Sequence, residues 1–324
     1  MTHKILVTGS SVRADLLQPL LDAGYRIENP PGVLSEAELK SALADTSAYL
    51  FGGDEFASAE AFSETSTLKL IAFLGVGYES FIDTAAATER GILITNTPGT
   101  LTNSVAEFTV GHLLNATRKI VPYAIAFEAG QTGAEEKQHD LAAMHIGIVG
   151  LGAIGTRIAE ILTLGFQARV SYFSRTRKPD AEAKYGLTYR TMDDLAAEID
   201  ALIVMTPGND STRHLIDADF CARIKPGLIL VNTAREDVVA PQALLAGMND
   251  GAIGYASFDG FYAQDEPLTA ALKAHIPSRL TVTGHIASLT HEARDGMAIK
   301  AMQSILNILS RGTDEYVVND PRSG

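Results

Sequence analysis

Residues 145–155 read His-Ile-Gly-Ile-Val-Gly-Leu-Gly-Ala-Ile-Gly, an apolar run followed by three glycines with the spacing G-x-G-x-x-G. The apolar run predicts a buried strand, and Thr156–Leu164 predicts a helix directly after the glycines. In this setting the first two glycines allow a tight turn and close approach of a pyrophosphate, and the third lets the helix pack against the strand. This order favours a dinucleotide-binding unit over an unrelated glycine-rich turn. The predicted cofactor contacts in it are Gly150, Gly152, Ala153, Ile154 and Gly155.

Short apolar runs alternate with helical stretches on both sides of this motif, which indicates parallel sheets built from βαβ units. The predicted strands are Lys4–Thr8, Ala48–Phe51, Leu70–Leu74 and Ile92–Asn96, followed by residues 145–149, 168–173, 201–205, 228–232, 252–258 and 280–283. The predicted helices include Arg13–Ala23, Ser35–Ala44, about 103–119 and about 291–310. Since 324 residues exceed one ordinary core, we expect an α/β fold of two Rossmann-like or flavodoxin-like domains with doubly wound parallel sheets.

The first three predicted strands of the N-terminal half each end in a turn-rich segment. These segments are Thr8-Gly9-Ser10, Gly52-Gly53-Asp54 and Gly75-Val76-Gly77. Ligands of open α/β sheets bind at the carboxyl ends of the strands, so these loops are candidate ligand contacts.

The composition restricts the partners of the chain. Lys and Arg number 26 against 39 Asp and Glu, so the formal net charge is −13, which repels nucleic acid and anionic membranes. An anionic substrate would therefore need local positive charge at its site. The single cysteine, Cys221, excludes an internal disulfide or a multi-cysteine metal site, and we expect no metal. Neither a signal peptide nor a membrane-spanning run is recognisable, so we expect a cytoplasmic protein.

The segment after the predicted strand at 168–173 bears on cofactor choice. An NAD-binding unit usually has an acidic residue there, about 20 residues past the glycine loop, to bind the ribose 2′-hydroxyl. This chain has Ser174-Arg175-Thr176-Arg177-Lys178 instead, and cations suit a 2′-phosphate. We therefore predict that Ser174, Arg175 and Thr176 bind NADPH, with NADH as the second candidate cofactor. The alternative is a solvated basic loop without a ligand.

Arg235, Glu266 and His285 have the chemistry that reduction of a ketone requires. Arg235 follows a buried strand and can clamp a carboxylate while it polarises a carbonyl. His285 ends the last predicted strand and can donate a proton, provided that a carboxylate such as Glu266 stabilises its protonated form. Each residue also has an ordinary structural alternative: a surface ion pair, a loop charge before Pro267 and a strand-end histidine.

Further motifs follow one another in a fixed order over nearly the whole chain. This series resembles that of the D-isomer-specific 2-hydroxyacid dehydrogenase family. The motifs are Gly75-Val76-Gly77-Tyr78 with Ile82-Asp83, Asn96-Thr97-Pro98-Gly99, Ser104-Val105-Ala106-Glu107, Gly150–Gly155, Val231–Arg235, Asp259, Glu266-Pro267 and His285-Ile286-Ala287. Several specific motifs in the right order are much harder to obtain by chance than any one of them.

The resemblance implies roles and an organisation. The arginine binds substrate, the histidine is the acid and base, and the glutamate pairs with the histidine. Amides of Val76 and Gly77 would hold the substrate carboxylate, and Asp259 the nicotinamide carboxamide. Further cofactor contacts would be Thr206, Pro207, Thr233 and Ala234. Residues 1–99 with 289–324 would form the substrate domain, to which the chain crosses back at its C-terminus, and residues 100–288 the dinucleotide domain. Most members are homodimers, so we expect one here.

The sequence departs from the family pattern at the site itself. Glu236 and Gly284 stand where the family usually has glycine and proline. The segment between Asp259 and Glu266 is two residues longer than usual, so that Gln264 competes with Glu266 for the catalytic position. We choose Glu266, because a carboxylate is needed to support an imidazolium and because Pro267 follows it.

The resulting prediction is an oxidoreductase that reduces a small 2-keto acid to a D-2-hydroxy acid with NAD(P)H. Two other functions remain open. A dinucleotide-sensing corepressor can be built on the same fold. A glutamine at the acid position would instead fit a formate dehydrogenase-like branch. The sequence does not identify the keto acid, although glyoxylate and hydroxypyruvate are favoured because NADPH suits reduction.

Overall fold

The structure is a computed structural model that describes residues 3–9, 12–132 and 138–319. Two compact units compose it, Met1–Leu101 with Leu289–Gly324 (unit 1) and Thr102–Ser288 (unit 2). Each unit contains one sheet, and all strand pairs within these sheets are parallel. The predicted fold class is confirmed.

Unit 1 is built on a five-stranded sheet. Its strands are β1 (Lys4–Val7), β2 (Arg26–Glu28), β3 (Thr46–Phe51), β4 (Leu70–Phe73) and β5 (Leu93–Thr95), in the order β2-β1-β3-β4-β5. Its helices are α1 (Gln18–Asp22), α2 (Glu36–Leu43), α3 (Thr84–Glu89) and α12 (His291–Arg311). This strand order is flavodoxin-like. The strands after β1 are added first on one side of it and then, from β3 onward, on the other, so the switch point of the topology lies between β1 and β3.

The C-terminal helix α12 completes the core of unit 1. It packs against β3 and β4 through small and apolar side chains that are almost fully buried, namely Ala298, Ala301, Met302, Ile305 and Ile308. On the other face, α2 begins with a capping box, in which Ser35 and Glu38 accept from each other's backbone amides.

Unit 2 is built on a seven-stranded sheet in the order β12-β11-β10-β9-β6-β7-β8. Its strands are β6 (His145–Val149), β7 (Arg169–Phe173), β8 (Thr188–Tyr189), β9 (Ala201–Val204), β10 (Leu228–Asn232), β11 (Ile253–Asp259) and β12 (Leu280–Thr283). Its helices are α4 (Thr102–Arg118), α5 (Ile120–Glu128), α6 (Ala153–Glu160), α7 (Pro179–Tyr185), α8 (Met192–Glu198), α9 (Ala218–Cys221), α10 (Pro241–Asp250) and α11 (Thr269–Lys273). The strand order is that of a Rossmann fold, which reverses between β6 and β9.

Local structure departs from the predicted elements at a few positions. The short strands β2 and β8 were not predicted, because three and two residues give too little alternation to detect. The predicted helix Arg13–Ala23 is a 3-10 turn at Ala14–Leu17 followed by the short α1, which has a proline in its first turn. The polar, aperiodic stretch 128–140 predicts a loop or extended arm. Its residues 133–137, like Ser10, lie outside the described residues. Within the described ranges, every helix is too short or too polar to span a bilayer.

Candidate active site

The glycine-rich loop after β6 has the geometry that its sequence predicts. Gly150 has φ +102°, and a Cβ there would lie 2.4 Å from the Met205 carbonyl oxygen. A Cβ on Gly155 would lie 2.1 Å from the Gly150 carbonyl oxygen. The chain's own backbone therefore requires glycine at both positions.

Gly152 is different, since a Cβ there would meet no atom within 4 Å. This residue begins α6, where no side chain caps the helix, and Ala153 beside it is exposed. Exposed amides and a positive helix end in front of open space form a cradle for an anion. The residues present thus fit the pyrophosphate of a dinucleotide, and packing within the chain does not explain why residue 152 lacks a side chain.

The basic loop after β7 contains one arginine that is paired within the chain and one that is exposed. Arg177 is committed within the chain: it pairs with Glu182 at 2.7 and 2.8 Å and lies over the ring of Tyr189. The ion pair with Arg177 and a hydrogen bond from the Tyr172 hydroxyl lower the pKa of Glu182 to about 2. Arg175 is exposed and pairs with no other described residue. The Ser174 hydroxyl donates a hydrogen bond to the Thr176 carbonyl at 2.6 Å.

Arg235 leaves the end of β10 in an extended conformation and is half-buried. The Asn232 side chain spans the turn, accepting from the Ala234 amide at 3.0 Å and donating to the Arg235 carbonyl at 2.9 Å. Arg235 itself donates from Nη1 to the Ala234 carbonyl at 2.8 Å. The hydroxyl of Thr233, a predicted cofactor contact, is paired with that of Thr109 at 2.6 Å.

The loop after β9 supports the arginine in a way that the sequence did not indicate. Thr206 and Pro207, two predicted cofactor contacts, precede Gly208 in this loop. A Cβ on Gly208 would lie 2.8 and 2.9 Å from Cβ and Cγ of Arg235. Residue 208 must therefore be glycine for the arginine stem to pack here, but an isolated glycine after a threonine and a proline reads as an ordinary turn.

His285 lies in a turn that Asp259 holds. The buried Asp259 carboxylate accepts from the amides of Ile286 and Ala287, both at 2.8 Å, and from the Thr283 hydroxyl at 2.7 Å. His285 itself is exposed and has φ +58°, a left-handed conformation that is uncommon outside glycine. Three hydrogen bonds to one carboxylate keep this strained turn in place.

The structure separates the two candidates for the catalytic acid. Gln264 is exposed and accepts from Lys273 Nζ at 2.9 Å, whereas Glu266 is half-buried. Burial raises the pKa of Tyr262, and the nearby carboxylates of Glu236, Asp237 and Glu266 raise it further. Glu266 is thus half-buried and near enough to a buried phenol for its charge to act on it, while Gln264 is on the surface with a surface partner.

A polar face of α4 supports this edge of the sheet, and the sequence analysis did not identify it. Thr109, His112 and Asn115 recur every three residues and bond to Thr233, Ser257 and Thr281 at 2.6, 2.7 and 2.9 Å. His112 Nε2 also lies 3.4 Å from the Thr283 hydroxyl that donates to Asp259. Burial lowers the pKa of His112. The available signal was polar residues at helical spacing inside an otherwise apolar helix face.

In unit 1, the predicted substrate loop Gly75-Val76-Gly77 follows β4. Gly75 has φ +151°, and its amide and carbonyl both bond to Thr97, whose hydroxyl lies 2.9 Å from the amide. Val76 is 41% exposed, and its carbonyl accepts from Asn96 at 3.4 Å. The Asn-Thr-Pro-Gly motif thus braces the loop from the next strand.

The cofactor domain matches a known family. Residues 110–287 match the model of the D-isomer specific 2-hydroxyacid dehydrogenase NAD-binding domain, which is more than half of the chain. The resemblance inferred from the motifs is therefore confirmed. The described residues contain no group of three or more His, Cys, Asp or Glu side chains that could hold a metal ion.

Individual proteins resemble the chain over most of its length. Glyoxylate/hydroxypyruvate reductase B of Yersinia enterocolitica is 33% identical over 97% of this chain and 97% of that protein. The enzyme of the same name from Erwinia tasmaniensis is 31% identical over 83% of this chain and 84% of its own. The crystal structure of a glyoxylate reductase from Paecilomyes thermophila has a TM-score of 0.85 at 26% identity and covers 98% of each chain. The chain belongs to the D-isomer specific 2-hydroxyacid dehydrogenase family of NAD-binding oxidoreductases.

Proposed function

We propose that the protein reduces glyoxylate or hydroxypyruvate to the corresponding D-2-hydroxy acid, with NADPH as the preferred cofactor. The observation that carries the proposal is the strand order β12-β11-β10 in unit 2. It brings Arg235, Asp259 and His285 to one edge of a parallel sheet, the edge that also carries the glycine loop after β6. The names of the relatives supply the two keto acids.

The roles proposed for the side chains follow from their chemistry. A bound nicotinamide cofactor supplies the hydride. Arg235 binds the substrate carboxylate and polarises the carbonyl, since a guanidinium carries a permanent charge in a rigid fork. His285 donates the proton, and Glu266 supports its protonated form. The amides of Val76 and Gly77 remain the proposed contacts of the substrate carboxylate.

A panel of keto acids tests the reaction. Oxidation of NADPH and of NADH is followed with glyoxylate, hydroxypyruvate, pyruvate and a bulkier keto acid, each cofactor at sub-saturating concentration. We expect kcat/KM to be highest for one of the first two substrates with NADPH. Loss of the proton donor in His285→Asn should lower kcat about a thousandfold or more while NADPH still binds. Cofactor binding without turnover of any substrate would favour the corepressor alternative.

The cofactor preference rests on Arg175. This guanidinium is exposed and unpaired among the described residues, whereas the charge of Arg177 is already balanced by its ion pair with Glu182. We expect Arg175→Ala to raise the KM for NADPH about tenfold and to leave the KM for NADH within about twofold. Arg177→Ala removes the same charge from the same loop and is the matched control, for which the change should be smaller. Equal kcat/KM values for both cofactors in the wild type would contradict the preference.

We further propose that the protein is a homodimer. The helix α5 reads Ile-Val-Pro-Tyr-Ala-Ile-Ala-Phe-Glu, yet none of its residues is buried, and Phe127 is 72% exposed. An exposed apolar surface of this kind is typical of an interaction site. Light scattering should give twice the chain mass, and Phe127→Glu should shift the equilibrium towards the monomer. A monomeric wild type at micromolar concentration would contradict the proposal.

A further inference from the structure

Gly260 lies close to both a carboxylate and the imidazole of His285. It follows β11 directly, with φ +90°, and its amide donates to the Thr283 carbonyl at 2.8 Å. A Cβ at this position would be 3.8 Å from Glu236 Oε2 and 3.8 Å from His285 Nδ1. The two atoms are therefore at most twice that distance apart. Glycine at this position leaves the space between them without a side chain.

Glu236 lies in the turn directly after Arg235. It opens the 3-10 turn Glu236–Val238 that follows Arg235, and it is half-buried. The buried Tyr262, whose hydroxyl donates to the Val239 carbonyl at 2.7 Å, lies close enough that the Glu236 carboxylate raises its pKa. The charge of Glu236 therefore acts on one buried group of this region, and Gly260 lies close to the same carboxylate.

We propose that Glu236 is a positioning residue for His285: its carboxylate, which lies near Nδ1 beside Gly260, stabilises the protonated ring in addition to the support proposed for Glu266. The inference rests on the proposed role of His285 as the proton donor. Asp259 has a separate task, because its oxygens accept from the Thr283 hydroxyl and from the Ile286 and Ala287 amides that form the turn. A negative charge at Nδ1 leaves Nε2 as the nitrogen that can face a substrate.

Other charges belong to the elements that pack around this turn, so the contribution of Glu236 has to be separated from theirs. They are Arg235 after β10, Asp259 at the end of β11, Glu266 in the segment after it, and His112 on α4. The neighbouring Asp237 provides a matched control. It lies in the same 3-10 turn but is turned outward to Arg213, with which it pairs at 2.9 Å.

The direct test is an NMR titration of the His285 ring in the protein without cofactor, with the signal assigned by its loss in His285→Asn. Glu236→Gln should lower the pKa of His285 by about half to one unit, the range for a partly solvated charge at this separation. Glu236→Asp should restore at least half of the shift, and Asp237→Asn should change the pKa by less than about 0.2. Added salt, about 0.5 M, should reduce the difference between wild type and Glu236→Gln, because His285 is exposed.

Kinetics provide the second readout. Reduction requires the protonated imidazole, so kcat/KM falls as the pH rises through the pKa of His285, and Glu236→Gln should move this fall to lower pH by the same half to one unit. If Glu236→Gln lowered kcat/KM at low pH but left the fall at the same pH, Glu236 would have only a structural role. That result would overturn the inference. So would an unchanged NMR pKa, or an equal shift in Asp237→Asn. Full activity of His285→Asn would instead refute the proposed function, while the NMR result would still decide the interaction between Glu236 and His285.

Discussion

The two units share one construction at the point where their strand order reverses. In unit 1 this point lies between β1 and β3, and in unit 2 between β6 and β9. The first strand of each pair ends in a glycine with positive φ, Gly9 at +86° and Gly150 at +102°. A Cβ on either would meet a backbone oxygen beyond the neighbouring strand, Gly52 at 2.1 Å and Met205 at 2.4 Å. Up to this point the two crevices are equivalent.

What fills the crevice differs. Beyond Gly150 the chain presents the open position of Gly152 and the exposed first turn of α6. In unit 1 a buried carboxylate, that of Glu55, lies beside the end of β1. It accepts from the Thr8 hydroxyl at 3.0 Å, the Tyr49 hydroxyl at 3.4 Å and the Leu34 amide at 3.2 Å. A carboxylate repels phosphate, whereas helix amides attract it. The same topology therefore places an anion cradle at this point of one unit and a buried, hydrogen-bonded carboxylate at this point of the other.

The largest effect is expected when a carboxylate is placed in the cradle of unit 2, which makes that unit resemble unit 1. Gly152→Asp should weaken NADPH binding about a thousandfold, since the new side chain enters the open space and its charge opposes the pyrophosphate. The same aspartate should cap α6 and stabilise the protein by a few tenths of a kcal/mol, roughly 0.3. Fluorescence titration and thermal unfolding measure the two effects.

Opposite signs for binding and stability are the distinguishing result. Gly152→Ala is the control for size, with a smaller loss of affinity and little change in stability. A variant that loses cofactor binding only because it unfolds would show that Gly152 serves packing within the chain, and the proposed contrast between the two crevices would then be wrong.

The complementary change removes the carboxylate from unit 1. Glu55→Leu leaves the Leu34 amide and one of the two hydroxyls without an acceptor, at a cost of about 3 kcal/mol in the free energy of unfolding. NADPH affinity should stay the same. Urea unfolding measures the first quantity, with Glu64→Leu as the control, because that exposed glutamate makes only a surface ion pair with Lys40. Equal stability of both variants would mean that the buried carboxylate has no structural role.

The sequence predicted the parts of this contrast that depend on glycine and on strand periodicity. The loop at Gly150–Gly155, most strands and the capping box of Ser35 were predictable because each depends on a local pattern. Glu55 was not identified, because its partners Thr8 and Leu34 are distant in the sequence and Tyr49 lies on the preceding strand. Gly208 and Gly260 were missed for the same reason: their importance depends on side chains, Arg235 and His285, that approach from other strands. Arg177 was counted with Arg175 because nothing local distinguishes a paired cation from an exposed one.

The smallest expected effect concerns the helices that support the two sheets, α12 with its alanines and methionine in unit 1 and α4 with its polar face in unit 2. Burial lowers the pKa of His112 below its ordinary value of about 6.5, so the native state binds fewer protons there than the unfolded chain. The contribution of His112 to stability is therefore fully present above about pH 6.5 and is lost as the pH falls below it. His112→Leu should reduce the loss of unfolding free energy between pH 7.5 and pH 5.5 by about 0.5–1 kcal/mol.

Ser257→Ala separates this titration from the hydrogen bond. It removes the partner of His112 Nδ1 but no titratable group, so it should lower stability by about 1 kcal/mol at both pH values and leave the difference between them intact. The lowered pKa of His145, also caused mainly by burial, leaves part of the acid sensitivity in both variants. If His112→Leu kept the full pH dependence, His145 and other groups would account for it. The polar face of α4 would then matter for geometry alone, through Thr283 and the turn that Asp259 holds.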